Sequence, residues 1–473
     1  HRQPGSSFKP FVYATAFKKG LTPDTVLFDL QTEFQTTCTA DGKPIGKTNP
    51  DDCYRPENFD HKYLGPLSIR SALALSRNIP AIKTLYLAGI QDSLNTARSM
   101  GIKSLGNPDQ YGLTLVLGGG EVSLLDMTSA YGVFGNSGIR NPHQRVLRVE
   151  DADGNILEEW RENPEEVLPK DIALQINDIL SDNTARVPEF GEHSALYVEG
   201  YGDVASKTGT TNDYRDAWIL GYTPSLSVGV WAGNNDNRPM KKKIAGFIVA
   251  PIWHEFMMEA LKNYPKEKFE KPKPIDPNLK PILRGFWQGN NVFKVDKISG
   301  KLATEFTPKE TVEERSVTQI HSILYWVSRE DITGPPPPNP ENNLQFKLWE
   351  TPIQKWLATH PVREYTEADI PNQTDDVHLP EFFPKLSFLD PKPDIIYRSN
   401  SRINIKIQNN GRFPLSRVDY FLNDIFIGSS KNIPFDFSFS PKDLDFTKQE
   451  NILKAVGYDS VHNYGETSVY IKI

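Results

Sequence analysis

ASKTGTTNDYRDAWILGYTPSLSVGVWAG, residues 205–233, holds three strand-length runs and the turns between them. ASKTGT (205–210) is small and β-branched. DAWILGY (216–222) and LSVGVWAG (226–233) are apolar, and the Thr223-Pro224-Ser225 turn between them predicts an antiparallel hairpin. The first run carries Lys207-Thr208-Gly209-Thr210. A strand with no side chain at Gly209 lets a peptide backbone approach and pair along an edge. Lys207 supplies a cation, and the hydroxyls of Thr208 and Thr210 suit a carboxylate. Chance supplies Lys-Thr-Gly in roughly one such chain in ten, and the competing reading is a plain turn into a hairpin.

Upstream, the pattern switches to helical spacing. Ser68 can cap a helix through Ile69, Ala72, Leu73 and Leu75, and Pro80 suits the first turn of the next one. SLLDMTSAYGVF (123–134), PKDIALQINDIL (169–180) and APIWHEFMMEALK (250–262) repeat the 3.6-residue period. Residues 1–262 therefore read as mixed α/β. Near the start stands Ser6-Ser7-Phe8-Lys9. If Pro4-Gly5 turns into a helix, Ser6 and Lys9 share one face, and Pro10 falls where no internal N–H partner is needed. A helix N-terminus favours a developing alkoxide at Ser6 and eases deprotonation of Lys9. A neutral lysine can take the proton of a serine nucleophile. The backbone N–H groups of Ser6 and Thr210 could then form an oxyanion hole. About two chance Ser-x-x-Lys matches are expected at this length, but Ser6 is the single one here. Taken alone it fits a solvated helix start equally well.

Within residues 1–262 a second serine element has three candidates. Ser93-Leu94-Asn95 lies in IQDSLNTARSMGI, whose buried face reads as Ile90, Leu94 and Ala97, so Ser93 and Asn95 are expected to face solvent. Ser181-Asp182-Asn183 is the literal Ser-Asp-Asn and fits a loop after a helix. Ser76-Arg77-Asn78 sits at a joint between two helices, where both polar side chains can enter a cleft. Residue chemistry leaves Ser76 and Ser181 level.

YRPENFDHKYLGPLSIRSALALSRNIPAIKTL, RQPGSSFKPFVYATA, LTLVLGGGEVSLLDMTSAYGVFGNSG and SKTGTTNDYRDAWILGYTPSLSVGVWAGN together resemble, in order, the signature stretches of bifunctional class A penicillin-binding proteins. ILSDNTARVPEFG resembles a segment of their C-type branch, which accounts for Ser181 without making it catalytic. The resemblance implies Ser6 as the acylated nucleophile, Lys9 as its base and Ser76 as the proton relay to the leaving D-alanine. It implies Asn78 as a ligand of the substrate peptide, Lys207 as the cation that sets the cleft electrostatics, and Thr208, Gly209 and Thr210 as binders of the terminal carboxylate end. It further implies D-Ala-D-Ala transpeptidation of peptidoglycan stem peptides, inhibition by β-lactams, no metal or nucleotide cofactor, wall-synthesis protein partners and an extracytoplasmic location. Such proteins carry a membrane anchor and a glycosyltransferase domain upstream. With Ser6 so near the start, the chain is expected to be an N-terminally truncated piece, weakly active or unstable in isolation. A carboxypeptidase or β-lactamase using the same motifs, or a catalytically degenerate wall-binding module, are the competing functions.

The remaining composition bounds these readings. In 473 residues, 38% hydrophobic and 24% charged content describe a globular chain of two or three domains. A net charge of −7 without a basic run disfavours nucleic acid. Nine scattered histidines without a His-x-x-x-His pair disfavour a zinc hydrolase, and Gly118-Gly119-Gly120 is no phosphate loop because no Lys-Ser/Thr follows. Cys38 and Cys53 share a polar stretch that cannot bury thiols, so a disulfide is expected over two free thiols. The fold expected is an α/β transpeptidase, a β-lactamase-like antiparallel sheet flanked by helices, in residues 1–262. Residues 263–390 read as a proline-rich linker with a small β-rich extension, including a VDKISGKLA hairpin and one short helix at QKWLATH. Residues 391–473 alternate apolar and polar positions in DIIYR, INIKIQN, VDYFLND, FDFSFS, ILKAVGYDS and SVYIKI, the pattern of an Ig-like β-sandwich.

Overall fold

The computed structural model describes residues 1–201, 203–240, 245–393 and 395–473. They form two compact units, residues 1–290 with 319–363, and residues 291–318 with 364–473.

The first unit is built round the helix Lys9–Lys18. Its sequence KPFVYATAFK is apolar on every side, and every residue from Lys9 to Phe17 is buried. Pro10 lies in its first turn, where the missing N–H costs no bond. Phe11 packs against Phe8, Tyr131 and Phe134 with ring centroids 5.4–5.7 Å apart. Helices Asn78–Ala88, Ile90–Ser99 and Lys170–Leu180 surround it. The strands Ala205–Thr210, Asp216–Tyr222 and Ser227–Gly233 form one antiparallel sheet in that order. The central strand is buried along its whole length because both faces are covered. Trp218, Leu220 and Tyr222 join the core beneath the helices, while Ala217 and Ile219 pack with Trp253 and Met257 of helix Ala250–Ala260. Among the described residues, no helix is long and apolar enough to cross a membrane.

Three local expectations change. Ser93 is buried, its hydroxyl donating to Gly89 O at 2.8 Å, and only Asn95 of that pair is exposed. A small hydroxyl that bonds its own preceding turn can lie against the core. Residues 263–390 do not act as one linker and extension: 263–290 and 319–363 fold into the first unit. Of QKWLATH, Gln354–Leu357 end a longer helix, Phe346–Leu357, with Pro352 inside it, and Ala358–His360 lie beyond it. Its Leu348, Trp349 and Ile353 are buried, Trp349 meeting Phe34 and Tyr86 edge-on. Cys38 and Cys53 are joined by a disulfide, closing a loop of sequence separation 15.

In the second unit, Val292–Asp296 pairs with Val312–Ser316 rather than within VDKISGKLA. The expected turn exists, with Asp296 N–H donating to Lys301 O at 2.9 Å, but the chain leaves after a single bridge from Leu302 to Val295. A three-stranded sheet (386–390, 403–409, 437–439) and a four-stranded sheet (425–430, 415–422, 450–459, 464–472), both antiparallel, share one core. Ile403 and Ile405 from one sheet meet Val418, Tyr420, Leu453 and Ile471 from the other. Asp394, which opens DIIYR, lies outside the described residues, and Ile396 makes only an isolated bridge to Lys472.

This unit is pinned by His378, which is 0% exposed. Its Nε2 faces Val461 O at 2.8 Å and, because a carbonyl only accepts, must donate. Its Nδ1 lies 2.6 Å from Asp375 Oδ2, which also accepts from Thr307 Oγ1 at 2.7 Å. Burial works against charge on Asp375, yet hydrogen bonds from Thr307, the Val377 N–H and His378 hold its carboxyl below the usual range. The ionised carboxylate thus stabilises the fold above its unfolded pKa, and that contribution is lost as pH falls through the folded value. His378→Ala leaves the buried carboxylate only Thr307 and the Val377 N–H and should cost about 1–3 kcal/mol in denaturant unfolding of the chain. A change under about 1 kcal/mol would remove the pin from the account.

Candidate active site

Ser6, Ser76, Asn78, Thr208 and Thr210 line one cleft of about 360 Å³ in the first unit. Two turns and a strand bring them together. The chain enters through Gly5 at φ +57° into a short 3-10 turn, Gly5–Phe8, that leads into the buried helix. Of the two adjacent serines, Ser6 opens on the cleft. Ser7 is fully buried, and its hydroxyl donates to Pro4 O at 2.7 Å. Tyr131 ties the same turn down, its hydroxyl donating to Ser7 O at 2.6 Å.

Ser76 stands between helices Ile69–Ala74 and Asn78–Ala88 at φ +58°. A non-glycine residue in the left-handed region is strained and persists only when its surroundings fix it. Here Ser76 N–H donates to Leu73 O at 3.1 Å and Arg77 N–H to Ala72 O at 2.9 Å. The Lys9 ammonium, 0% exposed, points at the same joint. It donates to Ser76 O, to Arg77 O at 3.1 Å and to Asn78 Oδ1 at 2.9 Å, with Ser76 Oγ at 3.4 Å. Lys207, 3% exposed, donates to Ser76 Oγ at 2.7 Å and to Thr208 O at 3.0 Å. Two lysines therefore converge on one hydroxyl.

Burial disfavours charge on both. Lys9 is pushed well below the ordinary lysine value by burial, then by the nearby charges of Lys207 and Arg77. Lys207 is lowered to about 7, again by burial first, with Glu189 opposing the shift and Arg186 adding to it. Two ammonium groups that share one hydroxyl in a buried site repel strongly, because water screens them poorly there. The cleft thus holds one easily lost proton between two nitrogens and a hydroxyl, the equipment for acid–base work near neutrality.

Asn78 is already engaged. Its Oδ1 accepts from Lys9 and its Nδ2 donates to Glu57 O at 2.8 Å, leaving one amide hydrogen for a ligand. Thr210 Oγ1 accepts from Ala245 N–H at 3.0 Å, so its own proton remains free to donate. Gly209 works differently from the expectation. A Cβ there would lie 2.1 Å from Pro4 O and 3.0 Å from Ser7 N, so the backbone it admits is the chain's own Ser6-bearing turn. Ser181 stands away from the cleft, its hydroxyl donating to Asn177 O at 2.7 Å, while Asp182 caps the helix Asn183–Phe190.

Sequence reasoning missed the acids behind the joint. Arg77 is buried, with Nε 3.0 Å from Asp29 and Nη1 3.0 Å from Asp60. Asn58 donates to Asp29 at 2.7 Å and accepts from Asn78 N–H at 2.8 Å. Glu57 and Glu189 complete the wall. Among the described residues, one trio of prospective metal ligands lies within 4.8 Å, Asp296, Asp375 and His378. It belongs to the pin of the second unit, not to the cleft.

Residues 1–257 match the family described as the penicillin binding protein transpeptidase domain. Penicillin-binding protein 1A of Aquifex aeolicus (strain VF5) is 35% identical over 282 residues, covering 59% of this chain and 36% of that protein. Penicillin-binding protein 1A of Neisseria lactamica is 32% identical over 284 residues, covering 58% and 33%. The crystal structure of penicillin-binding protein 1A from Haemophilus influenzae aligns with TM-score 0.51 and 27% identity over 60% of this chain and 46% of that one. The chain spans about a third of the length of the curated relatives it matches.

Proposed function

The chain belongs to the penicillin-binding protein transpeptidase family, and from that premise we propose that its cleft performs D-Ala-D-Ala transpeptidation of peptidoglycan stem peptides through an acyl-enzyme on Ser6. The observation that carries this reading is the convergence of Lys9 and Lys207 on Ser76 beside Ser6 in one cleft.

The steps follow from the donors and acceptors present. Ser6 Oγ attacks the penultimate D-alanine carbonyl while its proton passes to Lys9 Nζ. Negative charge develops on the carbonyl oxygen, opposite the backbone N–H groups of Ser6 and Thr210. The C–N bond breaks as Ser76 gives its proton to the leaving D-alanine nitrogen, and Lys207, donating to the same hydroxyl, replaces it. Thr208 and the free proton of Thr210 hold the terminal carboxylate. An amine of a neighbouring stem peptide then attacks the ester and releases Ser6. A β-lactam enters the first half of this sequence and acylates the same oxygen. From these reactions we infer a location on the extracytoplasmic side of a bacterial membrane, with wall-synthesis partners. We assign the paired sheets of the second unit as an Ig-like sandwich that serves as a spacer or glycan-binding module.

Mass spectrometry after penicillin treatment tests the reading. A stable adduct on the peptide containing Ser6 supports it. Rapid turnover without accumulation points to a β-lactamase, and no reaction points to a degenerate domain. Ser76→Ala should slow acylation by about 10²–10⁴-fold, the usual weight of a positioned proton donor. Ser181→Ala should leave the rate within a factor of about two, since its hydroxyl only bonds its own helix. The opposite ranking would reassign the relay.

A further inference from the structure

Glu189, within the ILSDNTARVPEFG segment, lines the cleft with Ser6 and Ser76 but is none of the Ser-x-x-Lys, Ser-x-Asn or Lys-Thr-Gly residues. It is the last residue but one of helix Asn183–Phe190. Its Oε2 lies 3.8 Å from Arg77 Nη1, beyond hydrogen-bond reach, and that guanidinium is already engaged by Asp29 and Asp60 at 3.0 Å each. Lys207, Lys9 and Arg77 face Glu189 as cations and Asp60 as the like charge. Arg186, one turn earlier on the same helix, is the other charge felt by Lys207. Its guanidinium is spent on neutral acceptors, Ser206 Oγ at 2.6 Å, Leu180 O at 2.6 Å and Leu196 O at 3.3 Å.

The acylation chemistry needs two lysines in opposite states. Lys207 must hold a proton to resupply Ser76, and Lys9 must be free of one to receive that of Ser6. Both are buried and both touch the same hydroxyl, and the three oxygens that accept from Lys9 favour charge there rather than on Lys207. Asp29, the acid with the strongest pull on Lys9, is already paired with Arg77. Glu189, whose carboxyl burial and then Asp60 push up while Arg77, Lys207 and Lys9 draw it down, makes no hydrogen bond among the described residues and is therefore the acid left to bias the pair. We propose that Glu189 is a positioning residue that holds the charge of the lysine pair on Lys207 and leaves Lys9 as the base. This rests on the transpeptidase reading of the cleft.

The direction of the electrostatics agrees. Glu189 is the largest charge opposing the downward shift of Lys207 and the smallest of the named influences on Lys9. Removing it lowers the Lys207 value, so Lys207 loses its proton at lower pH. The alkaline limb of the acylation rate then moves to lower pH, while the acid limb, set by Lys9, stays in place.

The experiment measures acylation of the 473-residue chain by a fluorescent penicillin across pH, for wild type, Glu189→Gln and Glu189→Asp, with circular dichroism as the folding control. Glu189→Gln should move the alkaline limb down by about one pH unit, and Glu189→Asp should restore it. A uniform loss of rate with both limbs unmoved, or movement of the acid limb alone, overturns the inference and leaves the transpeptidase reading standing. A wild-type chain that folds but is never acylated overturns that reading and the inference with it.

Discussion

Ser6→Ala should abolish covalent labelling by penicillin, whereas Ser7→Ala should be labelled at a reduced but measurable rate. The two serines are neighbours in the same short turn, so the contrast isolates what the cleft contributes. Ser6 borders the cleft that holds Ser76, Thr208 and Thr210. Ser7 is buried and its hydroxyl is spent on Pro4 O, so it cannot reach a carbonyl carbon placed in that cleft. Removing a nucleophile from a unit that acts as one costs on the order of 10⁶-fold in rate, and no covalent adduct can form at all. Losing the Ser7 hydroxyl instead leaves Pro4 O only the Ser7 N–H at 3.3 Å and loosens the turn by about 1 kcal/mol. Intact-mass measurement of both variants checks this, and an adduct on Ser6→Ala would place the nucleophile elsewhere.

What could be read from the chain alone follows from how local each requirement is. Ser6 with Lys9 needs one helical turn, and Lys207 with Gly209 needs one strand, so both patterns are written in consecutive residues. Ser76 was not separable from Ser181 by chemistry, because the difference is a left-handed joint against a helix end, and backbone conformation leaves no mark in a Ser-x-Asn triplet. Arg77 with Asp29, 48 residues apart, and Arg77 with Glu189 are pairings made by the fold. The helix Phe346–Leu357 begins well before QKWLATH, with Pro352 inside it and the stripe Leu348, Trp349, Ile353 running through it. The strand Ile425–Ser430 was overlooked despite a usable signal. Asn423 and Asp424, at φ +50° and +64°, form the two-residue turn that joins it to Leu422.

Gly209→Ala should cost about 10²-fold in acylation rate with far less effect on the unfolding midpoint than on the chemistry. An added methyl at Gly209 would sit 2.1 Å from Pro4 O and 3.0 Å from both Ser7 N and Ser7 Oγ. Pro4 O is backbone and cannot swing aside as a long side chain would. The strand Ala205–Thr210 is held by its register with Asp216–Tyr222, Gly209 opposite Trp218, and its neighbours are buried. The turn carrying Ser6 is the softer partner, since it begins at Gly5 and is held by isolated hydrogen bonds, from Ser7 to Pro4 O, Tyr131 to Ser7 O and Trp218 to Gln3 O, rather than by a strand register. The clash is therefore relieved by moving Ser6 away from Thr210, which spoils attack geometry and oxyanion hole together. A displacement of about 1 Å is worth about 10²-fold when reacting groups must be aligned, while overpacking costs about 1–3 kcal/mol of stability. Rate and melting measurements on the same preparation separate the two. An acylation rate near wild type would mean that the turn does not depend on the strand for its position, and the close packing of Pro4 and Ser7 on Gly209 would then be incidental to the chemistry.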